Sequence, residues 1–142
     1  MRSVLCSIGL AAGILALGIQ NASADINDTL EFTTSFPFTV GHATVPPGTY
    51  TITPDDQNPK FLLLTGERSS VFFQTDDKES NEPRSRTEVV FNEYDGGYVL
   101  KDIWVAGLRS GAESVVAEGE LHTAKHRQSK SQQHVTATKR SK

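Results

Sequence analysis

Thr87-Glu88-Val89-Val90-Phe91-Asn92-Glu93-Tyr94-Asp95-Gly96-Gly97-Tyr98-Val99-Leu100-Lys101-Asp102-Ile103-Trp104-Val105-Ala106 contains two β-rich runs joined by Asp-Gly-Gly. Asp and Gly tolerate the backbone that a tight turn requires, so the stretch reads as a β-hairpin. In its second arm Tyr98, Leu100 and Trp104 share one parity, while Val99, Ile103 and Val105 share the other. Both faces are apolar, which predicts a central strand. Asp102 falls on the parity of Leu100 and Trp104. It is either a buried carboxylate in need of a partner such as Arg109 or Lys60, or the mark of a bulge or an exposed edge.

The alternation recurs upstream. Leu30, Phe32, Phe36, Phe38 and Val40 fall on one parity with Thr34 between them, and Thr29, Glu31, Thr33, Ser35 and Thr39 on the other. A period of two is the signal of a half-buried strand. Pro37 has no N–H for a ladder and predicts an edge or a break within this segment. Val45-Pro46-Pro47-Gly48 reads as a turn, after which Tyr50 and Ile52 begin a new alternating face. Residues 54–59 form a polar loop, and the apolar runs 61–64 and 71–73 flank Gly66-Glu67-Arg68 as a second hairpin.

Residues 76–86 are charged, contain Pro83 and lack apolar side chains, which predicts a long exposed loop. Residues 112–121 fit a strand through Val115, Ala117 and Leu121, or a short helix through Ala112, Val115, Val116 and Gly119; the helix is preferred. Beyond Leu121 the apolar residues are Ala124, Val135 and Ala137. So little apolar surface does not offset ordering entropy, and residues 122–142 read as a disordered basic tail. The whole is all-β: a small antiparallel sandwich or barrel of about six to eight strands. Its core is expected to gather Phe32, Phe36, Phe38, Phe91 and Trp104, with most of the seven phenylalanines inside.

Arg2, an apolar run from Val4 to Ile19 and then Ala22-Ser23-Ala24 have the order of a secretory signal peptide. The organisation expected is therefore a signal peptide over 1–24, a β-rich domain over 25–121 and the tail over 122–142, exported to the periplasm or beyond. Cys6 precedes the cleavage site, so the mature chain has no cysteine and no thiolate for zinc, iron–sulfur or nucleophilic chemistry. Charge is divided unevenly. Residues 25–120 hold 7 basic and 17 acidic side chains, a net −10, whereas residues 121–142 hold six basic and no acidic ones.

As a set, Phe36-Pro37-Phe38-Thr39-Val40-Gly41, Val45-Pro46-Pro47-Gly48-Thr49-Tyr50-Thr51-Ile52, Val89-Val90-Phe91 with Tyr94, and Ile103-Trp104 followed by Gly107 resemble a group of small secreted bacterial β-rich proteins of uncharacterised function. The likeness covers residues 30–121. It implies export, a compact β domain and a bacterial source, and carries no activity or site residue with it.

Other constellations favour ordinary solvated surface. His122 and His126 are spaced as zinc ligands can be on a helix, but four ligands are the rule for a structural site and no thiolate is near. Asp55-Asp56-Gln57-Asn58 and Asp76-Asp77-Lys78-Glu79 with Glu82 offer oxygens without a calcium-loop spacing. Ser69, Ser70 and Ser110 lack a glycine-framed elbow, and His42 is the one histidine of the body. No catalytic, cofactor-binding or metal residue is assigned and no cofactor is expected. The function expected is a non-enzymatic binding or envelope-structural domain; the alternative is a small hydrolase or carbohydrate-active protein whose site forms only in three dimensions. The tail's charge suits anionic envelope polymers, lipid headgroups or another copy of the chain. Nucleic acid is disfavoured by export and by the tail's lack of aromatic residues for stacking.

Overall fold

The computed structural model describes residue 26, residues 28–115 and residues 129–140. These form ten strands: β1 (Thr29–Thr34), β2 (Phe38–Val40), β3 (Ala43–Val45), β4 (Gly48–Pro54), β5 (Phe61–Thr65), β6 (Ser70–Glu79), β7 (Glu88–Tyr94), β8 (Gly97–Trp104), β9 (Ser110–Ser114) and β10 (Ser131–Arg140). Eight of them close on themselves in the order β1-β4-β5-β6-β9-β8-β7-β10, every neighbour antiparallel. Closure removes the unpaired edges that would otherwise invite aggregation. The β2–β3 hairpin lies outside the ring. β8 offers the edge away from β7 in two halves: Asp102, Ile103 and Trp104 pair with β9, and Tyr98 and Val99 pair in parallel with β2.

Pro37 divides the first alternating segment into β1 and β2, as its missing N–H dictates. The Asp95-Gly96 turn joins β7 to β8, with Tyr94 opposite Gly97. Inward positions carry Leu30, Phe32, Ile52, Leu62, Leu64, Phe73, Val89, Phe91 and Leu100, all buried. An aromatic cluster occupies the interior. Phe38 meets Phe91 and Tyr50 edge-on at centroid distances of 4.9 and 5.3 Å, and Phe32 lies near 6 Å from all three. Ala137 stands opposite Phe32 in the ladder, a small residue where a ring needs room. Outward positions such as Glu31, Thr33, Thr49, Thr51 and Asn92 are polar. Among the described residues no helix is long and apolar enough to cross a membrane.

Several expectations are corrected. The tail is not disordered over 131–140: β10 pairs with Thr29–Phe32 of β1 and with Glu88–Glu93 of β7. Its ordering comes from main-chain bonds on both sides and from charge, neither of which an apolar count registers. Residues 110–114 are a strand rather than the start of a helix, because β6 and β8 supply ladders on both of its edges. Residues 116–121 lie outside the described residues, as do 1–24, 122–128, 141 and 142. Asp76–Glu79 continue β6 instead of opening a loop; their charges sit at a ladder against β9 where Lys78 finds acidic partners. Phe61 and Phe72 face outward and are exposed, 37% and 61%.

Trp104 is buried, but not in the core of Phe32, Phe38 and Phe91, against which Phe36 packs. Lys101 is an extra residue in β8: Phe91 pairs with Leu100 and Val90 with Asp102. This bulge switches parity, so that Ile103 points in while Asp102 and Trp104 point out. The indole lies across Gly111, where an added Cβ would come within 2.5 Å of the ring. The guanidinium of Arg84 lies over the ring, 4.0 Å from its centroid.

Candidate functional site

The β3–β4 turn and the β5–β6 turn meet at one end of the barrel and enclose a recess of about 430 Å³ lined by Pro46, Pro47, Gly48, Thr49, Tyr50, Glu67, Arg68 and Ser69. Local chemistry fixes both turns. The Gly66 N–H donates to the Ser69 carbonyl at 2.8 Å, closing the second turn. Gly66 also admits the Tyr50 ring, which a Cβ there would meet at 2.5 Å. Tyr50 reaches from the aromatic core to this end and donates its hydroxyl to the Pro46 carbonyl. Burial pushes the Tyr50 phenol above its ordinary pKa, offset in part by a hydrogen bond from the Ser69 side chain. Thr34, opposite Gly48 in the ladder, is buried, and its hydroxyl has no partner among the described residues.

The recess thus offers apolar proline surface over the buried Tyr50, beside the hydroxyls of Thr49 and Ser69 and one charge of each sign, Glu67 and Arg68. His42 stands elsewhere, exposed in the β2–β3 turn. Of the three serines weighed above, the structure brings Ser69 into the recess. The Asp55 carboxylate is engaged by its own loop, accepting from the N–H groups of Gln57 and Asn58, both at 2.9 Å.

A second constellation lies on the barrel's outer face. Asp102 is paired neither with Arg109 nor with Lys60. Lys78 Nζ donates to both of its oxygens, at 2.8 and 3.0 Å, and lies 3.5 Å from Glu113. Beside it Glu88, 4% exposed, accepts from Arg86 Nε at 2.9 Å, lies 3.2 Å from His134 Nδ1 and is 3.9 Å from Arg84 Nη1. The segment 80–87 straps this face. Arg84 N–H donates to the Leu108 carbonyl, Gly107 N–H to the Arg84 carbonyl, and Ala106 N–H to the Thr87 hydroxyl. Sequence reasoning assigned no role to Glu88 or Lys78, because the strap that buries Glu88 and the ladder that brings Lys78 to Asp102 join residues distant in the chain.

Lys78→Met should destabilise the fold by about 2–3 kcal/mol, since Asp102 would remain buried without its cation while partial solvent access keeps the loss below the full buried-pair range. The double variant Lys78→Met/Asp102→Leu should recover most of that loss. Urea melts of the single and double variants decide it: equal losses would mean that the ion pair does not govern this site.

No family model matches this chain, and no curated protein or solved structure matches it.

Proposed function

We propose that this chain is an exported, non-enzymatic binding domain of the cell envelope, and that the recess between the β3–β4 and β5–β6 turns is its ligand site. The observation that carries this reading is the aromatic filling of the barrel by Phe32, Phe38, Tyr50 and Phe91. An interior packed in this way is a rigid frame rather than a chamber, and directs binding to the surface. Ligand sites combine apolar walls with a few placed polar groups. Here the proline rings of Pro46 and Pro47 suit the C–H face of a sugar, and Thr49, Ser69, Glu67 and Arg68 suit its hydroxyls. The ligand proposed is therefore one or two sugar units of a neutral envelope polysaccharide.

The test uses amide NMR shifts of residues 25–142 titrated with chitotriose, with released reducing ends assayed in the same tube. Perturbations confined to residues 46–50 and 66–69, weakened about tenfold by Arg68→Ala as the loss of one charge-assisted hydrogen bond implies, support the reading. Unchanged spectra at millimolar sugar refute the site, and release of reducing ends would put a hydrolase in its place.

A further inference from the structure

β10 brings little apolar surface of its own and meets the body through main-chain pairing and charge. Its ladder runs along four residues of β1 and six of β7, while its inward apolar contribution is Val135 and Ala137. Its polar residues and cations, with the preceding Lys130, meet partners on the body. Lys130 pairs with Asp95, Lys139 Nζ with Asp28 Oδ2 at 2.8 Å, and Arg140 Nη1 with Glu31 Oε2 at 3.0 Å. His134 lies against Glu88, Ser131 against Glu93, and Gln132 Nε2 donates to Asn92 Oδ1 at 3.1 Å. The seat between β1 and β7 is rimmed by Asp28, Glu31, Glu88, Glu93 and Asp95, and the strand it receives has no acid. Lys130, Lys139 and Arg140 thus bring part of the chain's divided charge together at this joint.

Such a seat recognises the strand irrespective of which copy supplies it. Between Ser114 at the end of β9 and Ser131 at the start of β10 lie 16 residues. Extended, they span at most about 55 Å, more than the roughly 35 Å diameter of a domain of this size. We propose that β10 is exchanged between two copies of this chain, each placing residues 131–140 between β1 and β7 of the other. Reciprocal exchange is a closed, two-fold arrangement that leaves no strand edge open. It preserves every contact of the joint, so the balance between monomer and dimer is set by concentration. Because solvent-exposed ion pairs such as Lys139–Asp28 and Arg140–Glu31 weaken as salt rises, β10 is released faster, and exchange is quicker, at higher salt. The inference is independent of what the recess binds.

Cysteine trapping tests it on the full chain. Cys6 is the only cysteine, so a Cys6→Ser background has no competing thiol. Asn92 and Gln132 are ladder partners with touching side chains, and cross-strand pairs have Cα separations within disulfide range. Chains carrying Asn92→Cys are mixed with chains carrying Gln132→Cys in a glutathione buffer and run on a non-reducing gel. The expected result is a covalent heterodimer several-fold above that of a control mixture of Gln132→Cys and His42→Cys chains, increasing with protein concentration and forming faster at high salt. The double variant Asn92→Cys/Gln132→Cys should close its disulfide within one chain when dilute. Heterodimer at the control level while the double variant closes would overturn the exchange, and failure of the double variant to close would overturn the register on which it rests.

Discussion

A chain ending at Leu121 should lose about 5 kcal/mol or more of stability, a third or more of the ~5–15 kcal/mol typical of a domain. The charge and polarity of residues 122–142 suggest the opposite, a tail that can be removed without consequence. In the structure the truncation removes the eighth barrel strand and leaves β1 and β7 as open edges. It also uncovers the flanks of Leu30, Phe32, Val89 and Phe91, which are now 0–2% exposed. Partial exposure of four such side chains, each worth about 1.5–3 kcal/mol when fully buried, reaches that figure before the lost main-chain bonds are considered. Thermal and urea melts followed by circular dichroism compare the two chains. Equal midpoints would mean that β10 contributes nothing to the fold.

Trp104→Ala should cost about 3–5 kcal/mol, the range for truncating a buried aromatic. The site of the loss is the outer face rather than the barrel interior. The indole packs on Gly111 and carries the Arg84 guanidinium, so removing it leaves a cavity beside the 80–87 strap and takes away the surface on which Arg84 rests. Arg84 Nε, already buried and without a partner among the described residues, would gain none. Trp104 is the only tryptophan, so the melts are read by circular dichroism rather than fluorescence. A loss below about 1 kcal/mol, well under the cavity range, would mean that the strap does not seal this face. If the strap loosens alone, proteolysis near residues 80–87 should increase before the barrel melts.

The recess and the charged outer face were legible to different degrees. Val45-Pro46-Pro47-Gly48 and Gly66-Glu67-Arg68 announced themselves as turns, because proline and glycine restrict or free the backbone wherever they stand. That the two turns meet over Tyr50 depends on β4 lying between β1 and β5, a pairing no local pattern specifies. For Asp102, buried carboxylate and bulge were set against each other as alternatives, yet both hold: the bulge at Lys101 turns it outward, and Lys78 from β6 arrives as its cation.

The sequence by itself determined the all-β class, the break at Pro37, the hairpins at Asp95-Gly96 and Gly66–Ser69, and the inward face of Leu30, Phe32, Tyr50, Ile52 and Phe91. These follow from side-chain parity and turn chemistry, which act over a few residues. Only the tertiary structure decided that the barrel closes through a polar C-terminal strand, that Trp104 and Asp102 face outward, and that Lys78, Glu88 and the strap residues gather there. Each of these depends on partners distant in the chain. A strand such as β10 is ordered by ladder bonds and opposite charges that exist only once β1 and β7 are already side by side, and one inserted residue in β8 reverses the parity of everything after it.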